Sequence, residues 1–177
     1  MLDVRLIYLD FDGVLHPEGV RLPNPNRPKQ LVPPQKVAGW TRGLLGWSAL
    51  LNEALTPYPD VRIVLSTAWV QALSFHGARS YLPGSLKKRT IGATFHSRMN
   101  QLEFMRLSRG EQVEQDLERR GARAWVAIDD NQVGWSVAAQ GHLVHPDPAH
   151  GLGRSDTYLQ LKAVLAKQFG VPHGMLS

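Results

Sequence analysis

Short apolar runs, each followed by small polar or acidic residues, set the hydrophobic pattern of this chain. Residues 4 to 9, with Val4, Leu6, Ile7 and Leu9 apolar, predict a buried strand that runs into Asp10-Phe11-Asp12-Gly13. Val61 to Leu65 predict a second strand ending in Ser66-Thr67, and Ala124 to Ile128 another ending in Asp129-Asp130-Asn131. A shorter strand-like piece covers Thr90 to Phe95, and His142-Leu143-Val144-His145 reads as a fifth strand. Between these runs the period changes. Trp47, Leu50, Leu51, Ala54 and Leu55 recur at helical spacing. Thr67 is placed to cap a helix running through Leu73, and Trp69 and Phe75 read as core residues. Ser108 with Glu111 three residues on is a capping box, Val113 and Leu117 supply an inner face, and Gly121 ends that helix. Ser155 opens a terminal helix with Leu161, Val164 and Leu165 on one face. Strands alternating with helices predict an α/β fold, a three-layer α/β/α sandwich around a parallel sheet.

The pattern lapses between His16 and Trp40, where six of the twelve prolines fall. Such a density forbids regular helix or inner strand, so a proline-rich loop over residues 16–40 is expected. It leaves directly from the Asp-Phe-Asp-Gly turn and should border whatever site lies there. A length of 177 residues suits a single domain over 1–177. No apolar stretch approaches the ~20 residues that span a bilayer. Met1 to Arg5 lacks a basic region followed by an apolar one, so the cytoplasm is the expected location. Cysteine is absent, which excludes disulfides, thiolate nucleophiles and cysteine-ligated zinc. The formal charge of +5 suits a phosphorylated substrate or nucleic acid, and equally a solvated surface.

Candidate chemistry begins at Asp10 and Asp12. An extended strand alternates its side chains, so the two carboxylates point the same way while Phe11 turns into the core. Like charges so close repel unless a cation or a proton lies between them. An Asp-Gly pair also makes plain turns. Asp10-Phe11-Asp12-Gly13-Val14, then Ser66, then Asp129-Asp130, in this order, resemble the haloacid-dehalogenase (HAD) superfamily of aspartate-nucleophile phosphotransferases. The resemblance covers roughly residues 5 to 165.

That resemblance implies a Rossmann-like sheet with Asp10 as a nucleophile that carries an aspartyl phosphate. Asp12 would protonate the leaving oxygen and then activate water. An acid at this position favours a phosphatase over dehalogenases and transport ATPases, which typically lack it. Mg²⁺ would be held by Asp10, Asp129 and the backbone carbonyl of Asp12, with Asp130 orienting that shell. Ser66 would hydrogen-bond a phosphoryl oxygen, with the amides from Thr67 onward adding to anion binding. Alternatively, Ser66 and Thr67 only cap a helix. Gly13 and His16, beside the turn, are candidates for substrate contact. The lysine of the superfamily's third motif is missing. Arg109 is the candidate replacement, with Arg106, Lys87 and Lys88 as rivals. His142, His145 and His150 match no zinc spacing.

The 53 residues between Asp12 and Ser66 and the 42 between Ser66 and Arg109 leave no room for a full cap domain. An open site would admit a phosphorylated small molecule or a phosphorylated nucleic-acid end. With Leu65-Ser66-Thr67-Ala68-Trp69 and Ile128-Asp129-Asp130, the capless plan is most similar to HAD domains associated with bacterial RNA repair. The implied activity is Mg²⁺-dependent phosphomonoester hydrolysis. The alternative, resting on the missing lysine and the proline-rich loop, is a HAD-like binding or regulatory module with little turnover.

Overall fold

The computed structural model describes residues 4–19 and 42–171. Strands β1 (Arg5–Leu9), β2 (Arg62–Leu65), β3 (Thr90–Ala93), β4 (Ala124–Ile128) and β5 (Leu143–Val144) form one parallel sheet in the order β3-β2-β1-β4-β5. Strand alternation splits the core in two. Ile7, Leu9, Ile63, Leu65, Val126 and Ile128 face one side, while Leu6, Tyr8, Val64, Trp125 and Ala127 face the other. Helices α1 (Ser48–Leu55), α2 (Trp69–Ser80) and α3 (Gly84–Arg89) pack on the first side. The chain then passes through α4 (Gln101–Arg106) to α5 (Arg109–Arg120), which covers the second side through Val113 and Leu117. Helix α6 (Ser155–Phe169) returns to the first side with Leu161, Leu165 and Phe169. This is the α/β/α sandwich that the alternating pattern predicts.

Local departures from the pattern have physical reasons. Helix α2 continues past Leu73 to Ser80 because the backbone breaks at Ser74 (φ 68°) and the helix then resumes. Its N-cap is Ala68, not Thr67, although the Thr67 hydroxyl accepts a bond from the Trp69 amide at 3.4 Å. Helices α3 and α4 have six residues each, too few turns to show a period, and Lys87-Lys88-Arg89 form the last turn of α3. The fifth strand shrinks to two residues, with His142 ending a 3-10 turn instead. Of the expected proline-rich loop, residues 20–40 lie outside the described residues. No cap domain stands among the described residues, where β2 and β3 are joined only through α2 and α3. No helix of the described residues is long and apolar enough to cross a membrane.

Sheet order fixes where a ligand can bind. From β1 the chain moves outward to β2 and β3, then crosses to β4 on the other side of β1. Open α/β sheets bind ligands at such a switch point, outside the carboxyl ends of the strands. Helix α5 is pinned over that crevice. Its capping box forms as expected, and Gly121 ends it in the left-handed conformation. Midway along, buried Asp116 accepts a bond from the Tyr8 hydroxyl at 2.9 Å and is flanked by Arg119 and Arg120. At the helix start, the Gly110 amide donates to the Val133 carbonyl at 3.2 Å. A Cβ on Gly110 would sit 2.2 Å from the Gly134 carbonyl oxygen, so only glycine allows this approach. These contacts hold Arg109, the first residue of α5, above β1 and β4.

Removing the buried carboxylate should therefore loosen α5. Asp116→Ala leaves the Tyr8 hydroxyl and two guanidinium groups without their partner, and should cost about 2 kcal/mol of unfolding free energy in urea. A midpoint shift within error of zero would show that α5 is held by its apolar face alone.

Candidate active site

The polypeptide locks the ends of its strands together with backbone bonds. The Asp10 amide donates to the Ile128 carbonyl (3.1 Å), the Ser66 amide to the Leu9 carbonyl (2.8 Å) and the Asp129 amide to the Val144 carbonyl (3.1 Å). Asp10, Ser66 and Asp129 thus emerge side by side from β1, β2 and β4. Phe11 enters the core as alternation requires. The chain then turns tightly, with the Leu15 amide returning to the Phe11 carbonyl at 2.9 Å. Gly13 (φ +67°) is required in this turn twice over. Its backbone is left-handed, and a Cβ there would lie 2.1 Å from an Asp130 carboxylate oxygen.

Each buried aspartate keeps one oxygen for the fold and turns the other to the crevice. Asp10 Oδ1 accepts from the Phe11 amide (2.7 Å), and Asp129 Oδ1 accepts from the Asn131 amide (2.9 Å). Both Oδ2 atoms face Arg109, whose Nη2 lies 3.4 Å from Asp10 and whose Nε lies 3.0 Å from Asp129. The second contact is an ion pair without hydrogen-bond alignment, and it leaves buried Asp129 Oδ2 without a hydrogen-bond partner. The Ser66 hydroxyl is likewise buried and unpartnered. Thr67, in the same turn, pulls the Asp10 carboxyl down against the effect of burial. Among the described residues, Arg109 is the cation in ion-pair contact with these carboxylates, and Arg106, Lys87 and Lys88 form no ion pair with them.

Asp12 has a partner that the sequence pattern does not reveal. Trp69 is fully buried, as expected of a core residue, and packs edge-on against Phe11 and Tyr81. Its indole Nε1 donates to Asp12 Oδ2 at 2.7 Å. A buried indole N–H must find an acceptor, and that need was the available signal. His16 sits on the other side of Asp12. Its Nδ1 donates to the Pro17 carbonyl (2.9 Å), and its Nε2 lies 3.9 Å from Asp12 Oδ1. The ring is wholly buried against Trp69, so His16, a candidate for substrate contact, lies behind Asp12 on its interior side. His142 bonds the Trp125 carbonyl, His145 the Asp129 carbonyl and His150 the Asp147 carboxylate, and the three do not gather into a site.

Crowding shifts the acids strongly. Burial and then repulsion from Asp10 push Asp12 up to about 7, with the Trp69 bond opposing the rise. Burial and repulsion from Asp10 raise Asp130 to about 6. Asp129 is raised by burial and by Asp10, and Asp10 by burial against the pull of Arg109. Burial alone would weaken the hold of Arg109 on its proton, but Asp10, Asp129, Asp130 and Asp12 more than reverse this. Among the described residues, one guanidinium faces four carboxyl groups and does not balance them. Asp10, Asp129 and Asp130 each offer an oxygen within 4.8 Å of the others. Three clustered carboxylates with an unpartnered buried oxygen suit a hard divalent cation, which takes oxygen ligands and retains water. Asp130, expected only to orient such a shell, contributes its own carboxylate oxygen to this cluster.

The fold is that of a HAD-type domain, and comparison with protein families agrees. The family of HAD domains in Swiss Army Knife RNA repair proteins matches residues 6–157, and the chain belongs to it. Comparisons with curated proteins and with solved structures give no significant match.

The raised acids make stability depend on pH in a definite direction. Between about pH 4, where free carboxylic acids titrate, and the higher values of Asp12 and Asp130, the folded chain keeps protons that the unfolded chain releases. Stability of the metal-free protein should therefore fall as pH rises through this window. Melting in EDTA should show a lower Tm at pH 7.5 than at pH 5, and Mg²⁺ should raise Tm more at the higher pH. A Tm indifferent to Mg²⁺ at both values would mean that the acidic cluster holds no cation.

Proposed function

We propose that this chain is a Mg²⁺-dependent phosphomonoester hydrolase acting on phosphorylated nucleic-acid ends through an aspartyl phosphate on Asp10. The observation that carries the reading is the convergence of Asp10, Asp129 and Asp130 within 4.8 Å, with Asp12 held beside them by Trp69. Asp10, Asp129 and the Asp12 backbone carbonyl would hold the cation, with Asp130 next to them. When bound, Mg²⁺ neutralises carboxylate and phosphoryl charge so that one anion can approach another.

The residues divide the remaining work. Asp10, with Oδ1 fixed by the Phe11 amide, attacks phosphorus through Oδ2, the oxygen that faces Arg109. As the P–O bond to the leaving group breaks, the Asp12 carboxylic acid gives its proton to the departing oxygen. The resulting carboxylate takes a proton from water, whose oxygen attacks phosphorus, releasing inorganic phosphate and the Asp10 carboxylate. A group poised at about 7 can serve in both directions near neutral pH. The Ser66 hydroxyl, buried without a partner, is available to a phosphoryl oxygen. Arg109 supplies the positive charge that a lysine supplies elsewhere in the superfamily. The RNA repair setting of the family and the net charge of +5 favour a nucleic-acid end over a small metabolite.

A second reading, a binding module of the same site with little turnover, is favoured by one observation. Arg109 bridges Asp10 and Asp129, which would compete with a cation for the same two oxygens. Phosphate release decides between them. It is measured with an aryl phosphate and with 3′- and 5′-phosphorylated oligonucleotides, each with and without Mg²⁺. Turnover that requires Mg²⁺ supports the hydrolase, and binding of the oligonucleotide without release supports the module.

Asp10→Asn should lower kcat by at least about a thousandfold while leaving the fold intact. Retention of a tenth of the activity would remove Asp10 from the nucleophile's place. Trp69→Phe tests the orientation of Asp12. It should slow hydrolysis of an alkyl phosphate by about tenfold or more, the value of a hydrogen bond to a charged group. A nitrophenyl phosphate, whose leaving group needs no proton, should be affected much less. Equal losses on both substrates would mean that the indole supports only packing.

A further inference from the structure

Beyond the carboxylates, a groove of about 610 Å³ lies at the β3 edge of the sheet. It wraps around that edge, from α2 on one face to the last turn of α5 on the other. Phe75, Ile91 and Phe95 give it an apolar floor, and Arg119 and Arg120 stand on the α5 side. His76 and His96 line it as well, both exposed. None of its lining side chains is acidic. Asp116 lies buried beneath the two arginines and offsets one of their charges. Arg98, exposed two residues beyond His96, adds a further positive charge. The local potential registers at His96 itself, which partial desolvation and then repulsion from Arg119, Arg98 and Arg120 hold below its usual range.

The groove shares its walls with chain segments that also build the catalytic crevice. Val70 and Gln71, in its wall, directly follow Trp69, the residue that holds Asp12. Ala93 and Phe95, in its floor, flank Thr94, whose amide bonds the carbonyl of Leu65 at 2.9 Å, one residue before Ser66. A chain whose terminal phosphate reached Ser66 and Asp10 would have this groove as its neighbouring track. Rings set among cations, with no acid between them, are the chemistry of a single-stranded nucleic-acid site. Bases stack on aromatic faces without regard to sequence, while guanidinium groups follow the phosphates. A duplex would present no free base faces to those rings.

We propose that the β3-edge groove binds the nucleotides next to the phosphorylated end of a single strand. Bases stack on the Phe75, Phe95 and His96 rings, and backbone phosphates pair with Arg98, Arg119 and Arg120. This proposal rests on the reading of the Asp10 crevice as a site for phosphorylated nucleic-acid ends. It makes the groove, not the crevice, the source of affinity for the strand.

The test uses the full chain with Mg²⁺ and reads binding and turnover separately. Binding is followed by fluorescence anisotropy of a labelled hexanucleotide with a terminal phosphate, using Asp10→Asn protein so that the phosphate stays in place. His96→Ala and Arg98→Ala, both at exposed positions, should each weaken binding at least about threefold. Arg98→Ala should also reduce the salt slope by about one. In the active protein, kcat/KM should rise at least about tenfold from a mononucleotide to a tetranucleotide. Hydrolysis of an aryl phosphate is measured alongside. Absence of all turnover, with binding still sensitive to both variants, would remove the hydrolase reading and leave the groove standing. Turnover without length dependence, with binding indifferent to both variants, would overturn the groove while the hydrolase reading survives. Equal affinity for a duplex would overturn it too, and equal affinity for an acidic peptide would assign the groove to a protein partner.

Discussion

Among the described residues, four carboxyl groups crowd the carboxyl ends of two neighbouring parallel strands, and one guanidinium is the fixed positive charge set among them. The rest of the structure is arranged around holding that imbalance in place. Backbone bonds from Asp10 to Ile128 and from Asp129 to Val144 leave the side chains no means of spreading apart. Gly13 lets Asp130 close in from beside the turn. In an apolar crevice such a group either takes up protons or recruits a cation, because unbalanced buried charge is expensive. Raised acids and a gap suited to a hard cation are two consequences of the same crowding.

Arg109 matters because its position is set at a distance. Tyr8 and Asp116 tie the middle of α5 to β1, and Gly110 presses its first turn against the loop after β4. The guanidinium is therefore delivered by a rigid helix. An arginine is well suited to that task, since its planar fork can touch two carboxylates at once, as it does here. The same reach makes it a competitor for oxygens that a cation would use.

Legibility in the sequence followed the range of each interaction. Asp10, Asp12 and Phe11 could be placed from strand alternation alone, and the Ser108–Glu111 box and Gly121 fixed both ends of α5 from neighbours a few residues away. The sheet and its layers followed from apolar runs that alternate with helical periods. What escaped was either too short or too distant. Helices α3 and α4 are six residues long, and the break at Ser74 is a single residue of backbone. The bond from Trp69 to Asp12 joins positions 57 apart, and Asp116 reads as one more polar residue on a charged helix until Tyr8 is seen beneath it. The burial of His16 follows from the tight turn after Phe11, and adjacency to the Asp-Phe-Asp-Gly turn carries no signal of it.

Chemical trapping at Asp10 tests the central claim most directly. An aspartyl phosphate is an acyl phosphate, and borohydride reduces it to a primary alcohol while leaving free carboxylates untouched. Protein quenched with borohydride during turnover of a phosphorylated oligonucleotide, then digested and analysed by mass spectrometry, should carry the reduced side chain at Asp10. The signal should require both Mg²⁺ and substrate, and Asp12, Asp129 and Asp130 should remain carboxylates. Phosphate release with no reduction at Asp10, or with reduction at one of the other three aspartates, would contradict the account.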